Sequence, residues 1–166
     1  MKLLMITGTG YDDLEVYYAY YRLMEEGYEI DIAASQKGLV TGVHSQIEAK
    51  FSYGEITKEQ YNGLILPGGM APEMIRLDRD AVDAVKYFAE NKLPIAAICH
   101  GLQLLITAQA LNGKKCTTYP TIKDDVKNAG ADYHDEPCVV DGNLVTSRCP
   151  DDLPYFVKSF IELLNA

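Results

Sequence analysis

Short apolar runs alternate along this chain with longer segments in which apolar residues recur every three or four positions. Such runs are typical of strands buried on both faces, and the periodic segments are typical of amphipathic helices. The strands predicted in this way are residues 2–7, 28–34, 64–66 and 94–98. The predicted helices are residues 12–26, 80–91, 102–111, 122–129 and 151–165, with a single helical turn at 57–60.

Two further segments carry turn residues at their centres. Residues 39–50, around Thr41-Gly42, are predicted to form a short hairpin or an extended excursion, and residues 138–146 a hairpin that turns at 141–143. Apolar strands that alternate with helices indicate an α/β protein with a mainly parallel sheet and helices on both faces. A length of 166 residues without a visible linker or repeat predicts a single domain, residues 1–166.

The segment Ala97-Ile98-Cys99-His100-Gly101 joins a predicted strand to a helix in the manner of a nucleophile elbow. Such a turn needs small residues two before and two after the nucleophile, which is itself held in a strained conformation. A thiol at a helix N-terminus has a lowered pKa, and the thiolate is the reactive form. A lone cysteine in an apolar strand is more often a small buried hydrophobe. The strand-to-helix context nevertheless favours a catalytic or redox-reactive Cys99 with His100 as its partner.

Ligands of open parallel sheets bind at the carboxyl ends of the strands. Three loops lie at such ends in this chain, namely residues 8–12, 67–73 and 99–101. We therefore expect the functional site where the elbow meets its two neighbouring loops.

Acidic residues follow the first of these loops at the start of a predicted helix. Asp12 and Asp13 are explained by the stabilisation that carboxylates give to the free N–H groups of a helix N-terminus. Glu15 lies further along the helix and could point across the strand ends toward Cys99. A carboxyl group there would be protonated and donate a hydrogen bond, or would tune the acidity of the thiol.

The second loop contains two adjacent glycines, Gly68 and Gly69. Their N–H groups could form half of an oxyanion hole, with the backbone N–H of His100 as the other half. The alternative is a plain turn after a strand. Glu73 in the same loop could orient the His100 imidazole, since a Cys-His pair normally needs a third group.

Composition and charge argue against several partners and cofactors. A net charge of −9 and a pI near 4.7 argue against nucleic acid and anionic membranes, which bind basic surfaces. Gly8-Thr9-Gly10 fails as a dinucleotide-binding loop because Asp13 occupies the third glycine position. The four cysteines include no CxxC pair and no histidine at metal-ligand spacing, so we expect no zinc. Cys116, Cys138 and Cys149 are predicted to be structural thiols.

No apolar stretch approaches the roughly 18 residues that a membrane helix needs, and the N-terminus lacks the pattern of a signal peptide. We therefore expect a cytoplasmic protein without a membrane partner. His44 and His134 lie outside any motif and are predicted to be surface residues.

The first predicted helix contains four tyrosines within residues 17–21. At about 100° per residue they cannot all face one core. Exposed aromatic patches commonly mark interfaces, so this helix is predicted to take part in oligomerisation.

Taken together, these motifs resemble those of the PfpI (ThiJ/PfpI) family in the class I glutamine amidotransferase-like superfamily. The resemblance extends over almost the whole chain. It rests on residues 13–15, 66–69, 71–73, 97–101, 118–125 and 146–148.

The resemblance implies a flavodoxin-like three-layer sandwich that assembles as dimers built into hexamers. We expect no cofactor and no metal. It implies that Cys99 is the nucleophile, that His100 is its partner, and that Glu73 reaches His100 from a neighbouring subunit. It further implies that Glu15 holds a carboxyl group against the thiol and that Gly69 contributes to the oxyanion hole. Pocket positions are also implied for Tyr119 and Arg148.

Two residues depart from the family pattern. Asp12 stands where the family often has Glu, and Leu102 stands where it usually has Pro. The shorter Asp12 puts in doubt any contact that the longer side chain makes, whereas Leu102 should alter the entry into the helix more than the chemistry.

The activity implied by the resemblance is that of a cysteine-dependent hydrolase acting on peptide or small carbonyl substrates, in the manner of an ATP-independent intracellular peptidase. Two alternatives stay open at this stage. One is a glyoxalase or protein deglycase acting on 2-oxoaldehydes and glycated groups. The other is a non-enzymatic redox-sensing stress protein in which Cys99 is oxidised.

Overall fold

The apolar runs predicted as strands lie side by side in a computed structural model that describes all of residues 1–166. The strands are, in chain order, β1 (Lys2–Ile6), β2 (Glu29–Ala34), β3 (Gly38–Thr41), β4 (Gln46–Ala49), β5 (Phe51–Ser52), β6 (Gly63–Leu66), β7 (Ile95–Ile98), β8 (Lys115–Cys116), β9 (Asp132–Tyr133), β10 (Cys138–Asp141) and β11 (Leu144–Ser147). The helices are α1 (Asp13–Glu25), α2 (Ala71–Ile75), α3 (Arg79–Glu90), α4 (Leu102–Thr107), α5 (Lys123–Asn128) and α6 (Leu153–Leu164).

The central sheet has seven strands in the order β10-β11-β7-β6-β1-β2-β5. Every neighbouring pair is parallel except β10 and β11. The chain winds outward in one direction from β1 and in the other from β6, so the order reverses between these two neighbours. Such a switch point leaves a crevice at the carboxyl ends of the two strands, where ligands of doubly wound folds bind.

Helices cover both faces of this sheet. Helices α1 and α6 contact each other, whereas α3 packs against α4 and β6. This arrangement is the flavodoxin-like three-layer sandwich, and the predicted fold class is confirmed. The core is one cluster of 47 buried residues.

The observed elements differ from the predicted ones mainly where they are short. Helix α4 ends at Thr107 rather than at residue 111, because Gln109 takes a left-handed conformation with φ +57°. Helix α2 begins inside the loop predicted at residues 67–73 and extends two residues beyond it. The strands β5, β8 and β9 have only two residues each. The segment predicted as a hairpin or an extended excursion forms the hairpin β3–β4, and the hairpin predicted at residues 138–146 is present as β10–β11.

The tyrosines of α1 divide between the core and the surface, as their spacing predicted. Tyr17 and Tyr20 are half-buried, whereas Tyr18 and Tyr21 are exposed. The ring of Tyr21 stacks on that of Tyr17, with 5.7 Å between centroids. None of the helices combines the length and the apolar character that crossing a bilayer would require.

Candidate active site

The loops after β1 and β6 are hydrogen-bonded to each other at the switch point of the sheet. Tyr11 pairs with Gly69 as an isolated β-bridge, and the N–H of Met70 donates to the carbonyl of Gly10 at 2.8 Å. Gly69 has φ +78°, and a Cβ at this position would lie 2.4 Å from the backbone nitrogen of Asp12. A glycine is therefore required for the two loops to approach this closely.

Cys99 stands at the turn from β7 into α4 with φ +58°, in the left-handed region that non-glycine residues rarely adopt. A single 3-10 turn, Cys99–Gly101, joins the strand to the helix. A Cβ at Gly101 would lie 2.1 Å from the carbonyl oxygen of Leu66. The small residue two positions after the nucleophile thus lets the elbow pack directly on the neighbouring strand.

The imidazole of His100 lies beside the thiol. Its Nδ1 is 3.3 Å from the Cys99 sulfur, and its Nε2 is 3.4 Å from the hydroxyl oxygen of Thr121. The ring of Tyr119 covers it, with 4.9 Å between ring centroids. Burial lowers the pKa of His100, and the charge of Glu73 opposes this shift. A neutral His100 in this position can accept the thiol proton.

Glu15 is completely buried next to the same sulfur. Its Oε2 accepts a 2.6 Å hydrogen bond from the N–H of Gly68, and its Oε1 has no hydrogen-bond partner. Burial, followed by the negative charge of Asp12, raises the pKa of Glu15 to about 8. Glu15 is therefore mainly protonated at neutral pH, and the side chain lies where the sequence predicted it.

Asp12 serves as the N-cap of α1 rather than as a ligand of the pocket. Its carboxylate accepts a 3.0 Å hydrogen bond from the N–H of Glu15. This bond satisfies a free donor in the first turn and fixes the start of the helix that carries Glu15.

The pKa of Cys99 is raised, which is the opposite of the lowering predicted from its place at a helix N-terminus. The largest cause is burial, followed by the negative charge of Glu15. The backbone N–H groups of His100 and Gly69 face the sulfur and oppose this rise. The prediction considered the N–H groups but not the desolvation of a residue that is only 6% exposed. Because Glu15 keeps its proton at neutral pH, its opposing charge is largely absent there.

Glu73 forms no hydrogen bond or ion pair with the His100 imidazole within one chain, although its charge acts on the ring. It lies exposed on α2. The Thr121 hydroxyl is the side-chain group that meets the outer nitrogen of His100. The contact of Glu73 with His100 across a subunit boundary stays a prediction.

Arg148 lies in an ion-pair network and forms no hydrogen bond with Cys99, His100 or Glu15. Its guanidinium donates to the carboxylate of Asp152 at 2.9 and 3.1 Å and to that of Asp135 at 3.0 Å. The structure thus gives Arg148 a role in holding the loop before β10, and does not bring it to the thiol. The acidic residue four positions along the chain is the sequence feature that could have predicted this pairing.

Two hydroxyl groups contact the site although the sequence did not predict a role for them. Thr118 donates a 3.0 Å hydrogen bond to the carbonyl oxygen of Cys99, and Thr121 meets His100. Both belong to the segment after β8 that matched the family motif. Their contacts depend on how this segment folds back over the elbow.

The remaining cysteines and histidines are dispersed. Cys116 is buried, Cys138 and Cys149 are half-buried, and all three are free thiols. His44 is exposed as predicted, whereas His134 is half-buried with its Nε2 3.0 Å from a carboxylate oxygen of Asp132. No three His, Cys, Asp or Glu side chains are grouped as a metal site would require.

Comparison with known proteins places this chain in a family. The model of the DJ-1/PfpI family matches residues 1–163. A protein of Pyrococcus horikoshii that is named a deglycase is 46% identical over 167 residues, which cover 99% of this chain and 100% of that protein. Deglycase PfpI of Pyrococcus furiosus is 45% identical with the same coverage. General stress protein 18 of Bacillus subtilis is 36% identical and is covered over 98% of its length.

Solved structures with a similar fold include DJ-1 and PfpI-like proteins. A two-domain protein of Anabaena variabilis, with a DJ-1/ThiJ/PfpI-like and a ferritin-like domain, superposes with a TM-score of 0.96 at 34% identity. The match covers 99% of this chain and 48% of that longer protein. DJ-1β of Drosophila melanogaster superposes with a TM-score of 0.90 at 26% identity, covering 99% of this chain and 91% of that one. The chain therefore belongs to the DJ-1/PfpI family.

Proposed function

We propose that this protein is a cysteine-dependent deglycase that acts on adducts of 2-oxoaldehydes through attack of the Cys99 sulfur on a carbonyl carbon. One observation carries the proposal: the sulfur lies on a left-handed elbow, 3.3 Å from His100 Nδ1, and two backbone N–H groups face it. The names of the archaeal relatives favour deglycation over the peptidase activity predicted from the sequence. The experiment described below therefore measures peptide hydrolysis as the competing activity.

The reaction would begin with loss of the thiol proton to His100 Nδ1. Because burial lowers the pKa of His100, the imidazole is neutral and able to accept this proton at neutral pH. The protonated Glu15 adds no negative charge next to the thiolate formed in this step.

Addition to the substrate would follow. A bond forms between the sulfur and the carbonyl carbon, and the π-electron pair of the C=O bond moves to its oxygen. The N–H groups of Gly69 and His100 would stabilise this oxyanion. His100 then returns its proton to this oxygen.

The neighbouring carbon of the adduct carries a hydroxyl group and the amine; its C–N bond breaks with the electron pair going to nitrogen, the hydroxyl becomes a carbonyl, and the hydroxyl proton passes to the released amine. Cleavage of the C–S bond, with the proton on the oxygen returning to the sulfur, would release the 2-oxoaldehyde and regenerate the thiol.

We further propose that the protein is a homo-oligomer. Leu14, Tyr18, Tyr21 and Met24 leave an apolar surface on α1. A second apolar surface, formed by Met70, Met74 and Leu77, surrounds the exposed Glu73 of α2. Exposed apolar patches of this kind favour association. A second copy on the α2 surface would bring Glu73 close to the partner's site.

The proposal is tested on two substrates, a lysine derivative glycated with methylglyoxal and a fluorogenic peptide. Wild-type protein is expected to release the lysine derivative, and Cys99→Ser to lose this activity by about three orders of magnitude or more. Glu73→Gln is expected to lower the rate if Glu73 orients His100. Cleavage of the peptide alone would assign a peptidase instead, and equal activity of wild type and Cys99→Ser would refute both.

A redox-sensing role is the second candidate. It is favoured by the unpartnered Oε1 of Glu15 next to the sulfur and by the relative named a general stress protein. Hydrogen peroxide would oxidise the thiolate to sulfenic and then sulfinic acid, and is itself reduced to water. Mass spectrometry of Cys99 after treatment with peroxide, in wild type and in Glu15→Gln, tests whether this carboxyl group promotes the oxidation.

A further inference from the structure

Thr118 is tied to the backbone of the nucleophile. The side chain is completely buried, and its hydroxyl donates a 3.0 Å hydrogen bond to the carbonyl oxygen of Cys99. The residue before it is anchored to the central sheet, because the N–H of Thr117 donates to the hydroxyl oxygen of Thr146 at 2.9 Å. The donor therefore sits on a support that is fixed relative to β11.

The accepting carbonyl belongs to the same peptide unit as one of the N–H groups that face the sulfur. The C=O of Cys99 and the N–H of His100 lie on opposite sides of a single planar bond. Fixing the direction of the oxygen consequently fixes the direction of the N–H. A hydrogen bond to the oxygen also polarises the peptide and makes its N–H a stronger donor.

We infer that Thr118 is a positioning residue of this active site: by holding the Cys99 carbonyl, it directs the His100 N–H at the sulfur and at the oxyanion of the substrate. The part of this inference that concerns the oxyanion rests on the proposed function. The part that concerns the thiolate does not, because the same N–H stabilises the sulfur anion before any substrate is bound.

A strained elbow needs such a support. Cys99 has φ +58°, and a non-glycine residue keeps this conformation only when its surroundings hold it there. Without the Thr118 hydroxyl, the Cys99 carbonyl would lose a donor that fixes its direction, and the His100 N–H of the same peptide unit would be held less firmly toward the sulfur. The Cys99 thiolate would then lose part of the hydrogen bonding that offsets the cost of burying its charge.

Thr117 provides a matched control next to this residue. It is equally buried, but its hydroxyl has no hydrogen-bond partner. Thr117→Val and Thr118→Val thus remove the same group from the same segment, and only the second removes a bond to the elbow. Thr118→Ser keeps the hydroxyl and serves as the conservative variant.

The experiment measures the alkylation rate of Cys99 by iodoacetamide against pH, followed by mass spectrometry at this residue. Thr118→Val is expected to alkylate about tenfold more slowly at pH 7, since one unit of pKa is a tenfold change in thiolate. On the glycated lysine derivative, kcat is expected to fall about tenfold or more with KM unchanged. Thr118→Ser and Thr117→Val should behave like wild type.

The inference is overturned if Thr118→Val keeps the wild-type alkylation profile, or if Thr117→Val shifts it as much. Should Thr118→Val fail to fold, Thr118→Ala lacks the same hydroxyl without adding a methyl group, and its profile decides under the same criteria. If wild-type protein proves inactive on the adduct while only the Thr118 variants lacking a hydroxyl lose alkylation rate, the deglycase proposal fails and the role of Thr118 stands.

Discussion

At the scale of single residues, the site depends on a carboxyl group that burial keeps protonated. Glu15 has a pKa of about 8 in the folded protein, against an ordinary value of 4.5. The folded state therefore holds a proton that the unfolded chain releases between these two values. Its contribution to stability is fully present below pH 4.5 and is lost as the pH rises to about 8.

Glu15→Gln is consequently expected to stabilise the protein in alkaline solution. The amide keeps the size of the side chain and has no proton to lose, so the free energy of unfolding at pH 8 should rise by a few kcal/mol. The gain should shrink toward acid and vanish below about pH 4.5. Denaturant titrations at several pH values measure it.

The exposed Glu59 offers a control for this substitution. Glu59→Gln should leave the unfolding free energy almost unchanged over the same pH range. A stability gain of Glu15→Gln that is equal at pH 4 and pH 8 would show that the buried carboxyl does not titrate between them.

The same substitution is expected to slow the alkylation of Cys99 below pH 8. A protonated carboxyl group can donate a charge-assisted hydrogen bond to the thiolate, which is stronger than the bond from a neutral amide. We expect a severalfold lower rate for Glu15→Gln at pH 6 to 7. A higher rate would mean that Glu15 opposes the thiolate through its charge even in this range.

At the scale of elements, the turn Cys99–Gly101 packs on the end of β6 without a side chain between them. Gly101 has an ordinary helical φ of −56°, so only the contact with Leu66 requires glycine there. Gly113, by contrast, has φ +74° with open space around the missing Cβ. The two positions separate the effect of a clash from that of backbone conformation.

Gly101→Ala is expected to destabilise the protein by about 3 kcal/mol or more, because neither strand can shift away without disturbing the core. Gly113→Ala should cost about 1 kcal/mol through its backbone alone. Chemical denaturation compares the two. Equal losses would mean that the elbow yields to the added methyl group.

The elements that could be predicted are those whose residues are buried along their whole length. Strands β1, β6 and β7 are apolar at almost every position, and the pattern reveals them directly. Helix α2 could not be found in this way, since it has five residues and follows a Pro-Gly-Gly sequence that favours a turn. Its presence depends on packing against α4, which the local sequence does not contain.

The residues of the site likewise divide into those that the local sequence predicts and those whose contacts depend on tertiary packing. Cys99, His100 and the Gly68-Gly69 loop follow adjacent parallel strands, so topology alone brings them together. Thr118 was not assigned a role because its bond to Cys99 forms only when the segment after β8 folds back. The raised pKa of Cys99 was missed because it depends on the depth of burial, which a sequence motif does not reveal.

At the scale of the whole molecule, two apolar surfaces remain without a partner in the single chain. Tyr21 on α1 is 60% exposed, and Met74 on α2 is 69% exposed. Tyr21 lies among the exposed apolar residues of α1, whereas Met74 lies among those around Glu73, so the two surfaces are separate. Two separate interfaces are what an assembly of dimers into hexamers requires.

Tyr21→Glu and Met74→Glu are each expected to yield a smaller assembly than wild type in analytical ultracentrifugation, because a charge is placed in an apolar contact. Tyr155→Glu on α6, where the tyrosine is 59% exposed, provides the control and should leave the mass unchanged. Met74→Glu should also lower deglycase activity if Glu73 acts across that contact. A wild-type protein that sediments as a monomer would contradict the proposed assembly.

The order in which the site's segments occur along the chain has a consequence for biosynthesis. Glu15 and Gly68 precede Cys99, whereas Thr118, Tyr119 and Thr121 follow it. As the chain leaves the ribosome, Cys99 emerges before the segment that will hold its carbonyl and cover its histidine. The nascent polypeptide thus carries a cysteine thiol without these contacts. The complete site can form only after the segment containing Thr118, Tyr119 and Thr121 has been synthesised.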